Sequence, residues 1–137
     1  MNGSSSDHFQ LRITVKESDI DPLGHVNNIV YLRWVHDAAV AHWRSAATEV
    51  QKENILWVVT RHEIDYKRPA RLGDEIIAVT WVGKSTDMIF ERHTEIIREK
   101  DNSLLSKAKT FWCPINRISG KPMRVDADVR SRFSVPG

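Results

Sequence analysis

Phe9, Leu11, Ile13 and Val15 alternate with Gln10, Arg12, Thr14 and Lys16. A period of two predicts a half-buried strand over 9–17. The pattern breaks at Asp19-Ile20-Asp21-Pro22-Leu23-Gly24 and resumes as a predicted helix over 25–47. The charged residues of that helix, Arg33, Asp37 and Arg44, lie within about 40° of one another at 100° per residue. The rest of its circumference is mostly apolar, which predicts a buried helix that other elements must cover. Runs rich in Val, Ile, Trp, Phe and Thr predict strands over 56–66, 75–82, 88–98 and 104–112. In the first of these, Leu56, Val58, Thr60, His62, Ile64 and Tyr66 fall on one face and Arg61, Glu63 and Asp65 on the other. Short polar connectors favour antiparallel neighbours among the last three. One strand, one buried helix and four further strands, without βαβ alternation, predict an α+β fold with an antiparallel sheet of about five strands curled round the helix.

Composition narrows the class. The chain has 137 residues, enough for one domain. Its 20 Lys+Arg against 18 Asp+Glu leave +2, too small an excess to argue for nucleic acid. The longest apolar run, Ile55–Val59, is too short to span a membrane or to serve as a secretory signal. The single Cys113 excludes an intramolecular disulfide and suits a reducing compartment. These features predict a cytoplasmic protein with one domain over 8–137, after a polar tail at 1–7 read as disordered or as a remnant of expression.

The chemistry concentrates in residues 19–34, DIDPLGHVNNIVYLRW. A helix start presents unpaired N–H groups at the positive end of the dipole, and such donors hold an oxyanion. Pro22 has no N–H, so the useful donors come from Gly24–Asn28. Asp21 sets a carboxylate beside them, the minimum for acyl hydrolysis. The same residues also fit a purely structural role, with Asp21 as helix cap and Pro22 at the first helical position. His25 serves either as a substrate ligand or as a cap, and Tyr31 either as a pocket wall or as core.

The string Asp21-Pro22-x-Gly24-His25-Val26-Asn27-Asn28-x-x-Tyr31-Leu32-x-Trp34 resembles the helix-start motif of hotdog-fold thioesterases, the 4-hydroxybenzoyl-CoA thioesterase family. It is also similar to the Asp-x-x-x-His-Val-Asn-Asn string of plant acyl-ACP thioesterases. Two further strings, Asp65–Asp74 and Ile118–Pro122, support the resemblance, which runs from about Phe9 to Arg124. It implies a hotdog fold and hydrolysis of an acyl-CoA or acyl-ACP thioester, a role in fatty acid metabolism, and no metal or other cofactor beyond coenzyme A as part of the substrate. It implies Asp21 as base or nucleophile and the helix start down to Asn28 as oxyanion donor. Gly24, His25, Asn27 and Tyr31 then line the substrate, with Lys84 and Arg124 near coenzyme A phosphates. It further implies a homodimer or homotetramer with the site at the protomer interface. One departure stands out. Many relatives carry an acidic residue two positions after the motif's Trp, where this chain has His36, followed by Asp37.

Other chemistries find little support. Glu63 and Asp65 beside Arg61 read as a solvated strand face. No His/Cys set has metal-ligand spacing, no glycine-rich phosphate loop is present, and no Gly-x-Ser-x-Gly string occurs. The alternatives to hydrolysis are a hotdog hydratase, whose characteristic strings are not recognisable here, and a non-catalytic acyl-binding or assembly module.

Overall fold

The computed structural model describes residues 8–133, and the predicted tail at 1–7 lies outside them. The elements are β1 (Phe9–Thr14), α1 (Asn28–Ala46), α2 (Glu49–Asn54), β2 (Ile55–Tyr66), β3 (Glu75–Ser85), β4 (Phe90–Arg98), β5 (Ser103–Asn116) and α3 (Ala127–Arg132), with a 3-10 turn at Glu17–Asp19. The five strands form one antiparallel sheet in the order β1-β3-β4-β5-β2.

The long helix packs on one face of that sheet. Val30, Tyr31, Trp34, Val35, Ala38, Ala39 and His42 are its buried residues. The first core cluster joins Trp34, Val35 and Ala38 to Ile76, Ala78, Ile96 and Leu105. A second, around Phe90, Trp112, Val129 and Phe133, fills the other end. Each fully buried large side chain contributes about 1.5–3 kcal/mol. Arg33, Asp37 and Arg44 remain on the exposed side, as their clustering predicts.

Three expectations need correction. First, α1 starts at Asn28 rather than His25, because Asn27 is its cap: the Asn27 side chain accepts from Ile29 N at 3.2 Å. Second, β2 does not keep one face throughout. The register slips between Val59 and Arg61, which leaves Thr60 without a register partner on β5. Ile55, Trp57 and Val59 pack against the second core cluster, whereas after the bulge Ile64 packs against the first. Leu56 and Val58 therefore stand on the outer face, exposed. Third, α2 and α3 are additional. Thr48 and Gln51 form a reciprocal capping box at the start of α2, and Asp126 caps α3.

Candidate active site

The 16–28 segment is built as a rigid approach to α1. Asp19 is buried. Its Oδ1 accepts from Arg33 Nη2 at 2.7 Å, its Oδ2 from Lys16 N at 3.0 Å, and its carbonyl from Asn27 N at 2.9 Å. Beyond it the chain folds into a tight turn. Asp21 N donates to the His25 carbonyl at 2.8 Å and Gly24 N to the Asp21 carbonyl at 3.0 Å. Gly24 adopts φ +84°, where a side chain would be strained. Val26 N then reaches the Ala70 carbonyl at 3.0 Å, which ties the turn to the 66–74 segment.

Asp21 is not the cap of α1. Its Oδ1 accepts from Leu23 N at 2.9 Å and His25 N at 3.2 Å within the turn. No hydrogen bond from a described residue engages Oδ2, so one carboxylate oxygen is anchored and the other is open. At the helix start, Ile29 N is taken by the Asn27 side chain and Val30 N by the Asn27 carbonyl. Asn28 N–H is left without an acceptor among the described residues, at the positive end of a 19-residue helix.

Both groups open onto one cleft of about 420 Å³, lined by Asp21, His25, Asn27, Asn28 and Tyr31 on one side and by Tyr66, Lys67, Arg68 and Pro69 on the other. Among the described residues Asp21 supplies the one carboxylate in that lining. Tyr31 is buried, and its hydroxyl accepts from Ala70 N at 2.8 Å. It is a strut that holds the 66–70 wall against α1, and burial pushes its phenol up from the ordinary range. Tyr66 closes the far wall, its hydroxyl donating to the Asn28 carbonyl at 3.3 Å and its ring edge-on to Tyr31.

The other expected residues lie elsewhere. Gly24 shapes the turn without lining the cleft. Lys84 lies at the far end of β3, roughly 30 Å from its start at about 3.3 Å per residue. Arg124 is at that same far end, paired through Nη1 with Asp87 Oδ2 at 2.7 Å. Within one protomer neither shares the cleft with Asp21. The cations beside the cleft are instead Lys67 and Arg68, within the second motif string. His36 faces away from the cleft, next to Trp112 and 3.9 Å from Asp37 Oδ1. Arg61 pairs with Glu63 at 3.1 Å on an exposed face. Asp19, whose role is anchoring, carries no motif that sequence reading singles out. No group of three or more potential metal ligands occurs among the described residues, and no described helix is long and apolar enough to cross a membrane.

Residues 15–133 match the family described as the thioesterase-like superfamily. The palmitoyl-acyl carrier protein thioesterase of Gossypium hirsutum chloroplasts is 26% identical over 108 residues, 72% of this chain and 26% of that protein. The chain thus spans about a quarter of the length of this curated relative. Among solved structures, a DHNA-CoA thioesterase from Staphylococcus aureus superposes with a TM-score of 0.82 at 22% identity, covering 93% of this chain and 89% of that one. A thioesterase from Thermus thermophilus, solved with coenzyme A and zinc, gives 0.79 at 25% identity, covering 91% and 90%.

Proposed function

The chain belongs to the thioesterase-like superfamily, and from that membership we propose that it hydrolyses an acyl thioester at the cleft between Asp21 and Asn28. The observation that carries this reading is the pairing of an open carboxylate oxygen with an unclaimed helix-start N–H on one cleft. The thioester carbonyl oxygen accepts from Asn28 N–H, which stabilises the oxyanion as the carbonyl carbon becomes tetrahedral. Asp21 Oδ2 takes a proton from the attacking water, or attacks the carbon itself and is released by water. Collapse of the intermediate expels the thiolate, and the products are a carboxylic acid and a thiol. Lys67 and Arg68 at the rim suit the phosphates of coenzyme A or of a carrier-bound pantetheine.

The sheet supports a proposed assembly. β2 is an open edge of 12 residues that carries exposed Leu56, Val58 and Tyr66. Such an edge is a template for pairing, and a second copy of this chain is its proposed occupant. Tyr66 belongs both to that edge and to the cleft, so pairing would complete the cleft wall.

Thiol release across short, long and aromatic acyl thioesters of coenzyme A and of acyl carrier protein tests the reading. Turnover lowered by roughly 10²–10⁴ in Asp21→Asn is the expected result. A folded wild-type chain inert on the whole panel would sink it in favour of a non-catalytic acyl-binding module.

A further inference from the structure

The C-terminal half of α1 faces the start of β2 across a second cavity, of about 300 Å³. At about 1.5 Å per residue it opens roughly 16 Å along the helix from Asn28. Its walls are aromatic: Trp43, Trp57, Phe90, Trp112 and Phe133. Trp43 sits edge-on to Trp57 at 5.4 Å, and Trp57 is 4.9 Å from Phe90. An apolar cage of this kind has no need of a charge, yet Arg92 lies in its wall, 5% exposed.

Among the described residues Arg92 has no counter-ion. Its Nη1 donates to His42 Nδ1 at 2.9 Å and to Thr80 Oγ1 at 3.1 Å, and its guanidinium lies 5.8 Å from the Phe133 ring centroid. Among the described residues no carboxylate pairs with it, and no Asp or Glu lines the cavity. Burial pushes the group down to about 9, so it still carries its charge at neutral pH. A buried cation without a counter-ion is costly unless an anion joins it. Two further donors in the same wall, Trp57 Nε1 and Trp112 Nε1, are buried with no acceptor among the described residues. Arg44, Lys52 and Arg117 stand round the opening. The cavity therefore offers positive charge within apolar walls, with those two unpartnered N–H groups just beneath them. A planar carboxylate on a hydrocarbon body fits both features, whereas a phosphate would bring too much charge into an aromatic cage.

We propose that this cavity binds a small apolar monocarboxylic acid, its carboxylate on the Arg92 guanidinium and its hydrocarbon against the tryptophans. The site is separate from the Asp21 cleft, and binding there needs no hydrolysis.

The test compares octanoate with 1-octanol on the full chain, by calorimetry and by quenching of tryptophan fluorescence. The wild type is expected to bind octanoate at least tenfold more tightly than the alcohol. Arg92→Met should lose that preference while its octanol affinity stays the same, and Trp57→Phe, which keeps a ring and removes the N–H, should weaken octanoate severalfold. Asp21→Ala should leave octanoate affinity unchanged. Equal wild-type affinity for acid and alcohol overturns the proposal, as does octanoate binding that ignores Arg92→Met and responds to Asp21→Ala. If Arg92→Met does not fold, the wild-type comparison and Trp57→Phe decide alone. A carboxylate at the far end of an acyl thioester offers the same chemistry. Turnover tells it from the free acid, because Arg92→Met would then slow a tetradecanedioyl thioester, long enough to span the two sites, and spare a tetradecanoyl one.

Discussion

Arg33 on α1 holds the buried carboxylate of Asp19 at 2.7 Å, and the pair locks the approach to the helix start. Burial alone would push Asp19 up. The hydrogen bonds from Arg33 and from Lys16 N outweigh it and hold the carboxyl below its ordinary range. A depressed folded value contributes stability that is present above the unfolded value, about 3.9, and is lost as pH falls through the folded one. Arg33→Ala removes its hydrogen bond and its charge and leaves only the Lys16 contributions against burial, so the folded value rises relative to wild type. The variant should lose about 1–3 kcal/mol at neutral pH. The gap to wild type should shrink as pH falls towards 4, where the orphaned carboxyl takes up a proton. Denaturant melts from about pH 2 to 8 measure it, and a gap independent of pH across that range would show that Asp19 is not the group responsible.

Asp21→Asn keeps the acceptor that organises the turn through Leu23 N and His25 N, but the amide cannot take a proton. It should fold with little loss of stability and lower kcat by roughly 10²–10⁴. Asp21→Ala should lose the same activity and also about 1–2 kcal/mol, because two turn N–H groups lose their acceptor. Thiol release and thermal melts on the two variants separate chemistry from architecture. Normal turnover by folded Asp21→Asn would remove Asp21 from the reaction.

Tyr31→Phe deletes the acceptor of Ala70 N–H and the hydroxyl's long donation to the Arg68 carbonyl at 3.5 Å, while the ring packing with Trp34 and Tyr66 stays. Ala70 is fully buried, so its N–H is left unpaired at a cost of about 1–3 kcal/mol. The 66–70 wall loosens with it, and KM should rise more than kcat falls. A fall in kcat alone would mean that the phenol acts on the reacting atoms.

The legible parts of this molecule are those governed by period. The alternation of β1, the few charges of α1 and the β-rich runs predict five strands and one long helix, and the motif string places Asp21 beside the helix start. The failures have physical causes. The bulge at Thr60 reverses which residues of β2 face α1, and a slip of one residue is invisible to a pattern that is apolar on both parities (Leu56 and Val58, Ile55 and Trp57). The helix starts at Asn28 because Asn27 outcompetes Asp21 as cap. Asp19 is hidden from sequence reading because burial of a carboxylate depends on a partner 14 residues away. Arg92, by contrast, is legible by parity alone: it shares a strand face with the buried Phe90, Thr94 and Ile96, and so lies under the helix despite its charge.

Val35 is 1% exposed and packs in the first core cluster, whereas Asp37 lies on the solvent side. Val35→Lys buries an unpaired charge and should prevent stable folding or cost more than about 4 kcal/mol. Asp37→Lys should stay within about 0.5 kcal/mol. Chemical denaturation of both variants checks the assignment of faces, and equal losses would contradict the packing of α1.

The last prediction joins the sheet edge to the cleft. β2 runs from the second cavity at Ile55 to the cleft at Tyr66, and its free side faces no other described strand of the chain. A strand this long, left open and bearing apolar side chains, pairs readily. Tyr66 is 43% exposed in the single chain, and its hydroxyl reaches the Asn28 carbonyl next to the proposed oxyanion donor. A second β2 alongside would bury that ring and exclude water from the side of the cleft that now lies open, which strengthens every electrostatic contact there. Turnover per chain should therefore fall as the protein is diluted through dissociation, in step with the oligomer fraction seen by sedimentation. Val58→Asp, which sets a charge on the outer face of that edge, should shift the transition to higher concentration without lowering turnover of the associated form. A monomer with full turnover per chain would separate the reaction from assembly and place the whole site within one protomer.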